Sequence, residues 1–197
     1  MSHSEPLVDL IFKVTGQQIP VDHGYSLYGA ISRVLPRFHE DSAVGLKRIR
    51  GRYAGDGSLD ISPASELIIR MPVGAIGDYL ALAGQTLTVD EAPLSVGAPR
   101  TRALTPAVAL YAHLVTTKNG LDQARFESEI ARQLTEMGVQ GRFAVGDRKT
   151  FAIHGRQIVG YAVSVFELTA GESIAVQERG LGGRRKMGCG FFEPVRS

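Results

Sequence analysis

Five histidines stand in this chain, at His3, His23, His39, His113 and His154, and two of them bracket a stretch of helical periodicity. His23 precedes it, and His39 follows it within Arg37-Phe38-His39-Glu40-Asp41. An imidazole just past a helix C-terminus, beside carboxylates, is favoured in its charged form and can exchange a proton near neutral pH. Lys47, Arg48, Arg50 and Arg52 follow closely. Positive charge there is what phosphoryl chemistry needs, because negative charge accumulates around a pentacoordinate phosphorus. The chemistry these residue types could perform together is acid–base cleavage of a phosphodiester, with either His23 or His39 as the base; the competing role for each is helix-end decoration. His113 inside an apolar run and His154 before Gly155 suit structural positions, and His3 falls in a polar tail. No His-x-Glu or His-x-x-x-His spacing and no aspartate–glycine cage occurs, so neither a metal nor another cofactor is expected.

A second concentration of chemistry lies at residues 180–190, Gly-Leu-Gly-Gly-Arg-Arg-Lys-Met-Gly-Cys-Gly, with five glycines and three consecutive basic residues. Glycine permits positive φ and close backbone approach. The amides of Gly182 and Gly183 could then face phosphate oxygens while Arg184, Arg185 and Lys186 add charge. The segment is neither a P-loop, lacking Gly-Lys-Ser/Thr, nor a dinucleotide fingerprint opening a helix. A solvated connection is the competing reading.

The elements that must position these residues read in order. Leu7–Val14 is a strand, 17–22 a loop, and 24–35 a helix capped by Asp22 and stopped by Pro36. Val44–Tyr53 reads as extended, which places Arg48, Arg50 and Arg52 on one face. Glu66–Met71 is a strand, 75–83 a short helix, and 85–96 a strand or hairpin. Pro99–Pro106 has the prolines and charge of a linker, after which the order restarts. Ala107–Thr117 is a strand, and Phe126, Ile130, Leu134 and Met137 form a helical stripe closed by Gly138. Segments 142–145, 150–153 and 157–166 are strands, 172–179 a short helix, and 191–195 a closing strand. The pattern predicts an α+β chain of tandem ferredoxin-like, RRM-like βαββαβ units at 1–99 and 100–197.

Composition bounds the partners. The 197 residues carry a net charge of +2, 44% hydrophobic content and one cysteine, Cys189, which excludes an intrachain disulfide and a cysteine-cluster zinc site. Residues before 100 carry 8 basic and 11 acidic side chains, and those from 100 onward carry 14 and 9. The basic second half suggests a polyanion, with nucleic acid the commonest candidate. No apolar run is long enough to span a membrane and no secretion signal opens the chain, so a cytoplasmic protein is expected.

The glycine-rich segment 180–192, and Val21–Ser32 leading to Phe38-His39-Glu40, resemble the CRISPR-associated repeat-processing endoribonucleases, the Cas-six family of the RAMP proteins. With the two-unit pattern, the resemblance covers nearly the whole chain. It implies a metal-independent endoribonuclease that binds the stem-loop of a CRISPR repeat and attacks the scissile phosphorus with the ribose 2′-hydroxyl. The products would be a 2′,3′-cyclic phosphate and a 5′-hydroxyl, and other subunits of an interference complex would be partners. By the same resemblance His39 is the catalytic histidine, and the tyrosine the family carries on its first helix aligns with Ser32 here. Lys47 is the candidate for a downstream lysine, with Arg48 and Arg50 as substitutes in contacting the RNA. The departure at Ser32 keeps a second reading open, a non-catalytic RNA-binding RAMP subunit; a third is a metabolic enzyme whose loop binds a small phosphorylated ligand.

Overall fold

The computed structural model describes residues 5–195 and divides into two compact units, one ending at Ala103 and the other beginning at Leu104. The first runs β1 (Leu7–Thr15), β2 (Gln18–Pro20), α1 (Gly24–Val34), α2 (Arg37–Glu40), β3 (Gly45–Leu46), β4 (Arg52–Gly55), β5 (Ser58–Asp60), β6 (Glu66–Pro72), α3 (Ile76–Tyr79), β7 (Thr86–Val89) and β8 (Ala92–Ala103). Its main sheet has the order β3-β6-β1-β8-β7, with every neighbouring pair antiparallel. Alternate residues of β1, Leu10, Phe12 and Val14, join Leu27 and Ile31 of α1 and Leu67, Ile69 and Met71 of β6 in one core. On the opposite face of β1, just before Leu10, Asp9 is fully buried and accepts a forked ion pair from Arg70, at 2.8 and 3.2 Å, and another at 2.8 Å from Arg102. A buried carboxylate needs such pairing to remain charged.

The second unit runs β9 (Ala109–Val115), α4 (Gln123–Glu136), β10 (Arg142–Ile153), β11 (Arg156–Phe166), α5 (Ala170–Arg179) and β12 (Glu193–Pro194), with sheet order β10-β11-β9-β12. Asp122 caps α4 by accepting from the Arg125 amide, and Thr169 with Glu172 forms a capping box on α5. Phe126, Ile130 and Leu134 of α4 pack on Val163 and Val165 of β11. Numbering only its four principal strands, each unit has the order 2-3-1-4 that defines the ferredoxin-like fold, so the tandem βαββαβ architecture is as the pattern predicts.

Several elements differ from the sequence reading, each for a local reason. Residues 99–103 are not a linker: they pair with Phe12 through Val8 of β1, which moves the boundary from 99/100 to 103/104. Arg100 and Arg102 thereby join the first unit, bound to Glu66 and Asp9, and the charge contrast between halves shrinks. Residues 18–20, 52–55 and 58–60 form a separate three-stranded sheet, β2-β5-β4: the expected loop at 17–22 contributes β2, the expected strand at 44–53 contributes only its end to β4, and Asp56-Gly57 makes the turn into β5. The strand through Arg48 and Arg50 is absent, since pairing with β6 stops at Leu46. Segments 142–145 and 150–153 are one strand, β10, interrupted by a bulge between Val145 and Arg148. His23, not Asp22, occupies the N-cap of α1, and its side chain does not cap. Among the described residues no helix is long and apolar enough to cross a membrane. His3 lies outside the described residues.

Candidate functional site

In the first unit, His39 sits on α2, a helix of four residues, too short to hold itself in place. Its anchor is the adjacent Phe38, fully buried, with its ring 5.8 Å from that of Tyr28 and edge-on to Tyr79 at 6.3 Å. Burying an aromatic of that size is worth about 3–5 kcal/mol against truncation to alanine. Around it, Arg37 pairs with Asp78, and the Tyr79 hydroxyl donates to Asp41 at 3.2 Å. Burial, then the Asp41 carboxylate, push the Tyr79 phenol upward, so it remains a donor.

His39 itself is exposed, and its Nδ1 is hydrogen-bonded to the hydroxyl of Tyr28 on α1, the rings lying 5.9 Å apart. That contact bears on tautomer. A neutral imidazole that donates Nδ1–H to the Tyr28 oxygen carries its lone pair on Nε2 and is a base there; the imidazolium keeps the same bond and is an acid there. In the sequence Tyr25 and Tyr28 read as packing residues, because the alignment puts the helix tyrosine position at Ser32; the Tyr28 ring does pack on Phe38, and its hydroxyl also reaches His39. Tyr28 and Ser32 are four residues apart on α1, hence on one face, and that spacing was the available signal.

Ser32 does not serve the role assigned to it. Its Oγ is buried and finds no hydrogen-bond partner, so it cannot touch an RNA in this arrangement. His23 is likewise removed from proton transfer. It is 1% exposed, with Nδ1 bonded to the Pro20 carbonyl at 2.9 Å and Nε2 accepting from the Ile49 amide at 3.0 Å. Burial, reinforced by the charge of Arg48, lowers its pKa to about 4, so near neutral pH it is an uncharged clasp between the entry to α1 and residue 49.

The basic residues after α2 separate by environment. Lys47 is half-buried, its amide donating to the Ile68 carbonyl at 3.0 Å. Arg48 reaches back to the Val21 carbonyl at 2.6 Å and lies 3.7 Å from Asp22, with its side chain 16% exposed. It is a structural tie for the His23 segment. Arg50 is exposed, and its carbonyl accepts from Ser65 at 2.7 Å. Arg52 is paired with Asp60 at 2.7 Å.

In the second unit, the glycine-rich segment is tightly packed, which overturns the expectation that its amides await phosphate. The Gly182 amide donates to Gln133 Oε1 at 2.8 Å and the Gly183 amide to the Thr116 carbonyl at 2.9 Å. Gly182 has φ +72°, and a Cβ there would lie 2.3 Å from the Thr116 carbonyl oxygen. The glycines therefore let the segment press on β9 and α4. What the loop offers an anion is side-chain charge. Arg184 is exposed in the left-handed region at φ +61°; Arg185, half-buried, donates to the Glu178 carbonyl at 2.7 Å; Lys186 is half-buried. Further basic side chains that the motif reading passed over lie on the β10–β11 hairpin, where Arg148 and Arg156 are exposed and Lys149 half-buried.

Among the described residues, no group of three or more histidine, cysteine or carboxylate side chains is placed to hold a metal ion.

A family model described as Cas6 Crispr matches residues 8–197. The chain is 40% identical over 194 residues to the CRISPR-associated endonuclease Cas6 of Myxococcus xanthus strain DK1622, covering 95% of this chain and 81% of that one. Among solved structures, a RAMP protein described as binding different RNA substrates superposes with a TM-score of 0.71 at 14% identity, over 96% of this chain and 100% of the other. Thermus thermophilus Cse3, bound to an RNA representing a pre-cleavage complex, gives 0.55 at 14% identity, over 95% and 98%. The likeness to these structures concerns the fold; the match along the sequence goes further, and on it this chain belongs to the Cas6 family of CRISPR repeat-processing endoribonucleases.

Proposed function

We propose that the protein cuts a CRISPR repeat transcript without a metal ion, by attack of a ribose 2′-hydroxyl on the adjacent phosphorus, with His39 as the base. The observation that carries this reading is the bond between Tyr28 and His39 Nδ1 on an exposed imidazole. His39 Nε2 removes the 2′-hydroxyl proton as the new O2′–P bond forms; the P–O5′ bond breaks and the departing 5′-oxygen takes a proton from water. The products are a 2′,3′-cyclic phosphate and a 5′-hydroxyl. Tyr28 is a positioning residue that holds the tautomer. Lys47 and Arg50 are proposed to supply charge toward the phosphate, and Arg184, Arg185 and Lys186 to bear on the RNA backbone. Ser32 takes no part.

The test uses repeat RNA transcribed from the CRISPR array of the same genome, incubated with EDTA-treated protein. Cleavage should persist, the 5′ fragment should end in a cyclic phosphate, and a 2′-deoxy substitution at the scissile nucleotide should abolish it. Cleavage that requires magnesium, or that survives the 2′-deoxy substitution, contradicts the mechanism. Tight binding without cutting would assign the chain the non-catalytic role instead.

A further inference from the structure

A cavity of about 600 Å³ opens in the second unit between residues 116–119, the middle of α4 and the glycine-rich segment. Its size falls within the range of ligand pockets. The groups around it divide into those already committed to the protein and those that are not.

The committed set builds the walls. Gln133 accepts from the Gly182 amide through Oε1 and donates to Glu129 at 2.7 Å through Nε2, so both ends of its amide are fixed. Glu129 also holds Arg132 in a two-pronged pair at 2.6 and 3.0 Å, and Arg132 is bound on its other side by Glu136. The Thr116 carbonyl receives the Gly183 amide, and the Thr117 hydroxyl receives the Asn119 amide at 3.1 Å. Gly120 seats this loop, since a Cβ there would stand 2.2 Å from the Val159 carbonyl oxygen.

The set with no direct side-chain partner is Lys118, Asn119 and Arg184, although, after Arg132 and Gln133, the Lys118 charge helps hold the Glu129 carboxyl below its ordinary range. Among the described residues the side chains of these three make no hydrogen bond or ion pair, yet all three line the same cavity. Two cations and one amide, the amide carrying both donor and acceptor, face a pocket whose walls are pre-organised. That combination matches one nucleotide: a phosphate for the cations, and a base edge for an amide, which can pair with it in two directions.

We propose that this cavity receives a single unstacked nucleotide of the bound RNA, its phosphate held by Lys118 and Arg184 and its base edge read by Asn119. The assignment rests on the RNA-cleaving function proposed above and adds to it a position at which sequence is read. A base inside a duplex cannot present itself to such a pocket, so the nucleotide belongs to an unpaired position.

The test is a set of repeat RNAs from the same genome, each carrying 2-aminopurine at one unpaired position, whose fluorescence rises when the base leaves its stack. Binding of the unmodified protein should raise it strongly at one position, and Asn119→Ala should remove that rise while leaving the salt dependence of binding in place. Lys118→Ala and Arg184→Ala should each weaken binding by about tenfold and lower the log–log salt slope by about one. Unchanged melting temperatures would confirm that the variants fold. The proposal is overturned if repeat RNA is bound and cut but no position responds, or if Asn119→Ala retains the response. RNA that is neither bound nor cut overturns the proposed function itself.

Discussion

At the scale of single residues, the two histidines that bracket α1 have opposite fates, decided by burial. The sequence favoured His39, past the helix C-terminus and beside carboxylates, but left His23 open as the base; what separates them in the fold is that His23 is enclosed between Pro20 and Ile49 while His39 is exposed beside Tyr28. Because burial holds the folded-state pKa of His23 at about 4, below its ordinary 6.5, the unfolded chain binds the extra proton between those values. Its contribution is therefore fully present above pH 6.5 and is lost as pH falls toward 4, by roughly 3 kcal/mol. Urea unfolding across that range should show the loss, and His23→Gln should flatten it. Tyr28→Phe keeps the ring that packs on Phe38 but removes the oxygen that receives Nδ1–H. Single-turnover cleavage should slow on the order of 10-fold to 100-fold with affinity unmoved; a variant that binds poorly instead would make Tyr28 merely structural.

At the scale of elements, glycine spacing announced close approach but not the partner. The neighbours Gly182 and Gly183 are indistinguishable in sequence, and only the fold gives the first a carbonyl at 2.3 Å from a would-be Cβ and the second open space. Gly182→Ala should therefore destabilise the protein by about 2 kcal/mol and Gly183→Ala by little, as thermal melts would show. The misread elements share a cause. Residues 99–103 carry proline and arginine, marks of a linker, yet as part of an antiparallel strand their arginines pair with Asp9 on the adjacent β1 and with Glu66 on β6, one strand beyond. Long-range pairing overrode local composition there. The buried Ser32 hydroxyl is the converse case: its place on α1 was legible, while its exclusion from solvent depended on packing that the chain acquires only on folding.

At the scale of the whole molecule, the succession of strands and helices was legible because period-2 and period-3.6 apolar patterns alternate in the same order twice, and the main sheet of each unit takes the ferredoxin-like order. The functional class was legible from two motifs, and the family match over residues 8–197 supports it. The contact between His39 and Tyr28 was only half legible, since the two lie eleven residues apart on separate helices that Phe38 brings together. Proton transfer by the proposed base, His39, is measured by setting unmodified protein beside His39→Ala on the same repeat RNA and following single-turnover cleavage and equilibrium affinity together. Cleavage should fall by at least about a thousandfold with affinity within a few-fold; cleavage by the alanine variant within tenfold of the original would rule His39 out as the base.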